Sequence, residues 1–114
     1  MGLRDRLTGR RERPGTPRAA QSADLDHLEQ WFGTRRGVEG FVEPQTVTTA
    51  TTLVLVAHDG EWTRRRVDSP KAAFVFGQRT GMPVYDVAAV GYPPRMREWT
   101  AKRKAAGQTG VPDA

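Results

Sequence analysis

No cysteine occurs among the 114 residues, so neither a disulfide framework nor a thiolate metal site is available and the chain suits a reducing interior. No run approaches the roughly 18 to 20 consecutive apolar residues of a membrane span, and the opening "MGLRDRLTGRRERPG" carries cations with no apolar stretch behind them. Neither insertion nor export is expected, and cytoplasm is the default location. Histidine is scarce too: His27 and His58 stand at no metal-binding spacing, which argues against a metal centre. "VFGQRTGMP" lacks the spaced glycines that cradle a pyrophosphate, and there is no lysine-bearing phosphate loop. No cofactor is implied.

What the chain has in excess is arginine, and where the charge sits matters more than its sum of +5. Residues 1–20 hold six Arg against Asp5 and Glu12, and residues 95–114 hold five Lys or Arg against Glu98 and Asp113. The stretch between has seven cations against nine carboxylates. Basicity therefore belongs to the ends, around a slightly acidic middle. Of the 18 cations 15 are Arg, a preference that suits bidentate phosphate contacts and that GC-rich coding also produces. With 37% hydrophobic residues, one small domain is the most the chain can hold. We divide it into a disordered basic arm over 1–21, a single domain over 22–99 and a basic disordered tail over 100–114.

The periodicity predicts a helix from Ser22, with Leu25, Leu28 and Phe32 on one face, Trp31 beside them and Gly37 beyond its end. "VEGFVEP" and "QTVTTATTLVLVA" read as strands, and "HDG" turns the second into a third, "EWTRRRV". Asp59-Gly60 fits either a two-residue turn or a type I turn with a glycine bulge. "DSP" then caps a helix that runs to Gly81, "MPVYDVAAV" is a further strand, and Pro94 opens a terminal helix anchored only by Met96 and Trp99. Tyr92-Pro93 is a bond open to the cis isomer. The order α-β-β-β-α-β implies an α+β fold: two layers, with a mixed, mostly antiparallel four-stranded sheet and helices on one face.

Three consecutive arginines in a strand cannot form one patch. Trp62, Arg64 and Arg66 point to one face and Thr63, Arg65 and Val67 to the other. If the first set lies on an open face, an indole between two guanidinium groups makes a strip for stacking and phosphate contact. The plainer reading is that these charges keep a sheet edge from pairing with another chain. A second cluster, Asp86 with Tyr85 followed by Tyr92, is where a carboxylate and phenols could converge in a cleft, with His58 as a further candidate; a satisfied strand-end Asp and a polar turn explain the same residues without catalysis.

The segments "LEQWFGTRRGVEGFVEP", "TTLVLVAHDGEWTRRRVDSPKAA", "GMPVYDV" and "VGYPPRMREW" resemble a family of small, conserved hypothetical actinobacterial proteins. The likeness spans about residues 23 to 99 and departs from the family pattern at "YPPRM", where a polar residue often stands in place of Pro94. Some members carry the label "oxidoreductase", for which these residues offer no chemistry. The resemblance implies an intracellular setting and no established activity.

These readings lead with a non-enzymatic binding module for RNA, DNA or a nucleoprotein such as the ribosome. Its contacts would come from Trp62, Arg64, Arg66, Arg95, Arg97 and Lys102. A protein adaptor or homodimer joined through a strand edge is the second expectation. A small enzyme working near Tyr85, Asp86 and His58 is the third.

Overall fold

A computed structural model describes residues 18–112, with side chains from residue 22 onward. The chain order is α1 (Arg18–Thr34), β1 (Glu39–Glu43), β2 (Thr52–Val56), β3 (Trp62–Arg66), α2 (Pro70–Thr80), β4 (Val84–Asp86), α3 (Val87–Val90) and α4 (Pro94–Ala105). The strands make one mixed sheet in the order β3-β2-β1-β4. β2 is antiparallel to both β1 and β3, while β4 returns through α2 to lie parallel to β1. The α+β class and the four-stranded mixed sheet are as the sequence implied.

Local chemistry accounts for the boundaries. Ser69 Oγ accepts from Ala72 N at 3.1 Å, Pro70 fills the first helical position, and Gly81 closes α2 in the left-handed region at φ 77°. At the β2–β3 hairpin, Gly60 N donates to Ala57 O at 3.0 Å and Ala57 N to Glu61 O at 2.8 Å. With Gly60 at φ 96°, this is the type I turn with a glycine bulge. The Tyr92–Pro93 bond is trans.

Two apolar clusters lie on opposite faces of the sheet. On one, Val42, Leu53 and Leu55 pack with Leu28 and Trp31 of α1 and Ala73 and Phe76 of α2. On the other, Phe41, Val54, Val56 and Trp62 pack with Met96 and Trp99 of α4 and with Val87 of α3. The expected two layers with helices on one face are thus three layers: α4 closes the face that was to be open. The physical reason lies in β2, whose residues Leu53, Val54, Leu55 and Val56 are all fully buried; both of its sides need a cover.

The expected boundaries shift as well. α1 begins four residues before Ser22, and α4 runs through the start of the expected tail to Ala105. Beyond it, Gln108 N donates to Arg103 O at 2.8 Å and Arg103 Nε to Thr109 O at 2.8 Å. Gly110 is buried against Lys104 and Thr100, so residues 100–110 belong to the folded domain. The expected arm up to residue 17, and Asp113 and Ala114, lie outside the described residues.

Where α4 crosses the hairpin, no side chain fits. A Cβ on Gly60 would stand 2.1 Å from Arg95 O and 2.9 Å from Trp99 Cβ. Gly60→Ala must therefore lift α4 as well as strain a backbone at positive φ. The expected loss is about 3 kcal/mol or more of unfolding free energy by urea titration. Gly33→Ala, with nothing within 4 Å, should be neutral or stabilising by up to about 1 kcal/mol.

Candidate functional site

The site is best built from the central strand. On the α4 side of the sheet, β1 presents Glu39, Phe41 and Glu43 in alternation, and each carboxylate collects one arginine and one tyrosine. Glu43 Oε1 accepts from Arg64 Nε at 2.7 Å and from Thr52 Oγ1 at 2.6 Å, and Oε2 accepts from Arg64 Nη2 at 2.9 Å. The Tyr92 hydroxyl also donates to Glu43 Oε2. At the other end, Glu39 Oε1 accepts from Arg95 Nη2 at 2.9 Å and Oε2 from the Tyr85 hydroxyl at 3.5 Å. Phe41 lies between the two groups, with the Tyr85 ring centroid 5.6 Å away.

Electrostatics follow from these contacts. Burial alone would raise the Glu43 carboxyl, but hydrogen bonds from Arg64, Thr52 and Tyr92, with the Arg64 charge, hold it below its ordinary value. Burial, then the Glu43 carboxylate, push the Tyr92 phenol up, and Arg64 opposes them. The hydrogen bond to Glu43 raises Arg64 against the effect of its burial. The trio is therefore an ion pair braced by a neutral phenol.

Trp62 shares its face with Arg64, as the alternation required, but it is only 7% exposed. Its Nε1 donates to Thr100 Oγ1 at 3.2 Å beneath α4. The indole is core, so the stacking strip is corrected: there is no open face for it to line. Arg64 is half exposed, but its fork is taken up by Glu43 and its guanidinium lies 5.1 Å from the Trp62 ring. Arg66 is exposed at the far end of the same strand. Arg65 faces α1 and pairs with Asp24 at 3.3 Å.

Arg95 is structural as well. Its Nε donates to Ala57 O at 2.8 Å and Nη2 to Val56 O at 3.2 Å, besides Glu39. It fastens α4 to the end of β2. Arg97 and Lys102 are exposed on α4, and so is Lys104, which the sequence reading passed over. None of the three forms an ion pair with a described residue. Arg103, by contrast, stacks 4.9 Å from the Trp99 ring and bonds to Thr109 O.

No family model matches the sequence, and no curated protein or solved structure matches the chain. The site has to be judged on its own geometry.

The trio His58, Tyr85 and Asp86 is not assembled. Tyr85 and Asp86 are neighbours in β4 and point to opposite faces. Asp86 spends its carboxylate capping α3. His58 is exposed in the hairpin turn, its backbone N donating to Arg36 O at 2.9 Å. The expected cleft is absent as a convergence of these residues because Asp86 caps α3, His58 lies in the hairpin turn and Tyr85 packs on Phe41 toward Glu39.

The remaining histidine is used differently. His27 of α1 shares a 2.9 Å hydrogen bond with Thr63 Oγ1 under the helix layer. Burial and the Arg65 charge lower its pKa, with Asp24 opposing. Both His27 and Glu43 sit below their ordinary values, so the unfolded chain binds more protons in each window and stability falls on acidification. The His27 contribution is complete above about 6.5 and is lost as pH falls toward its folded value. That of Glu43 is complete above 4.5 and is lost through its own folded value. Thermal melts against pH should show two descending steps, with His27→Gln flattening the upper and Glu43→Gln the lower. At neutral pH Glu43→Gln should cost about 1 to 2 kcal/mol, since the partly exposed Arg64 is screened by solvent.

Proposed function

We propose that the protein is a non-enzymatic binding module for nucleic acid or a nucleoprotein, and that α4, not the sheet, carries the contact. One observation supports this reading above the others: Arg97, Lys102 and Lys104 are exposed on one helix and have no acidic partner among the described residues. Arg64, Arg65, Arg35, Arg79 and Arg95 are each paired with a carboxylate of the domain. A cation already neutralised releases no counterion when a phosphate approaches, whereas a solvated one does. The same helix has the exposed Tyr92 just ahead of it, an aromatic beside free cations.

The adaptor or homodimer reading has less to work with. β3 borders the sheet with three arginines, and β4, the other border, is three residues long; both features discourage strand addition. It retains the apolar surface of Phe74 and Val75 on α2, 40% and 50% exposed. Among the described residues no helix is long and apolar enough to cross a membrane.

Binding to single-stranded RNA, measured by fluorescence anisotropy across a salt series, tests the reading. Each phosphate contact contributes about 0.7 to the slope of log K against log salt, so replacing Arg97, Lys102 and Lys104 by Ala should lower that slope by about 2. Lys71→Ala, exposed on α2, is the control and should leave it unchanged. The cations of residues 1–17 are present in every variant, so the difference isolates α4. An unaltered slope in the triple variant removes α4 from the account.

A further inference from the structure

Beside α4 lies an open groove of about 480 Å³, lined by Tyr92, Met96, Arg97, Thr100, Ala101 and Lys104. Positions 97, 101 and 104 fall on one helical face, so a small apolar side chain separates two cations. Arg97 and Lys104 are two turns apart, about 10 Å along the axis. Their backbone positions bracket that of Ala101. Tyr92 forms the aromatic wall, and its orientation is set by the hydrogen bond to Glu43 at its far tip.

We infer that this groove takes one unstacked base of a single-stranded nucleic acid, packed against Tyr92 over Met96 and Ala101, with neighbouring phosphates on Arg97 and Lys104. The inference rests on the proposed function and narrows it from polyanions in general to single strands. Three features select this occupant. The floor is apolar, so what enters must bury a face that gains from leaving water. The two cations stand two helical turns apart on one face, a spacing that suits the successive charges of a strand. The groove is open to solvent, which suits a passing chain better than an enclosed molecule. A duplex keeps its bases stacked inside and offers the groove nothing to insert.

The tyrosine is pre-positioned for this. Its hydroxyl is committed to Glu43, so the ring does not need to be ordered when a base arrives, and the entropy cost of the stack is reduced. Glu43 and Arg64 thereby become positioning residues for the wall without touching the ligand.

The experiment compares an oligouridylate with an abasic strand having the same number of phosphates, both titrated against the full chain at one salt concentration. The wild-type protein is expected to prefer the base-bearing strand by a factor of about 5 to 140, the range of one base–aromatic stack. Tyr92→Leu should bring the two strands to parity, and Tyr92→Phe, which keeps the ring but loses the Glu43 hydrogen bond, should retain a reduced preference. Ala101→Gln, a neutral change on the exposed helix surface that fills the floor, should also abolish it; that variant carries the test if circular dichroism shows that Tyr92→Leu is unfolded. Equal affinity of the wild type for both strands, weakened alike by R97E and K104E, overturns the base site and leaves the polyanion reading standing. A preference that survives Ala101→Gln and a folded Tyr92→Leu places the base elsewhere and also overturns it. Absence of binding to either strand removes both readings.

Discussion

The structure depends on the attachment of α4 by Arg95. One guanidinium reaches the carbonyls of Val56 and Ala57 and the carboxylate of Glu39, which ties the start of the helix to the end of β2 and to β1 at once. A planar fork with fixed donor directions can do this where a lysine cannot. The bare glycine at position 60 lets the helix backbone come into contact with the hairpin. With α4 held there, Met96 and Trp99 cover Phe41, Val54, Val56 and Trp62, and the sheet is dry on both faces. Remove the attachment, and an apolar face containing an indole and a phenylalanine is returned to water.

That enclosure settles how the charges are distributed. On a sheet, a cation and a carboxylate two strands apart can share a face, and Arg64 reaches over β2 to Glu43 in this way. Arg65, pointing to the other side, finds Asp24 of α1. The arginine run that looks like one basic patch in the sequence is therefore divided between two faces and matched with acids on each. On α4 the only acid is Glu98, and the cations not used for attachment or for stacking on Trp99 remain solvated. The domain spends its strand arginines on folding and keeps its helix cations.

Much of this arrangement was legible, and the failures share a cause. α2 could be read from Ser69, Pro70 and Gly81 because its caps are local chemistry, and the hairpin from Asp59-Gly60 for the same reason. The alternation that separates Arg65 from Arg64 and Arg66 is a property of any strand. The sheet's second cover could not be read from α4 itself, since Met96 and Trp99 are a thin apolar stripe and the helix is held as much by one arginine. A signal did exist in β2, however: Leu53 to Ala57, "LVLVA", is an unbroken apolar run, which marks a strand buried on both sides. The Glu43, Arg64 and Tyr92 trio joins residues 21 and 49 positions apart, a separation at which spacing carries no information. Lys104 shares the expected tail with Lys102 and has no signal of its own; only the continuation of the helix to Ala105 sets it on the face of Arg97 and Ala101.

The distinction between used and unused cations is what makes a small basic protein informative. Net charge alone predicts weak, shapeless attraction to any polyanion. A folded surface adds selectivity only when its charges stand at fixed separations beside something that reads more than charge. In this chain the tight ion pairs are removed from that inventory by their own carboxylates. Among the described residues, apart from Arg36 and Lys71 elsewhere on the surface, what remains is a helix whose face alternates cation, alanine and cation, next to a tyrosine held by Glu43. The Glu43 pair is therefore not a rival to the proposed binding surface: by holding the Tyr92 hydroxyl, it connects the electrostatics of the sheet to the shape of the groove on the helix.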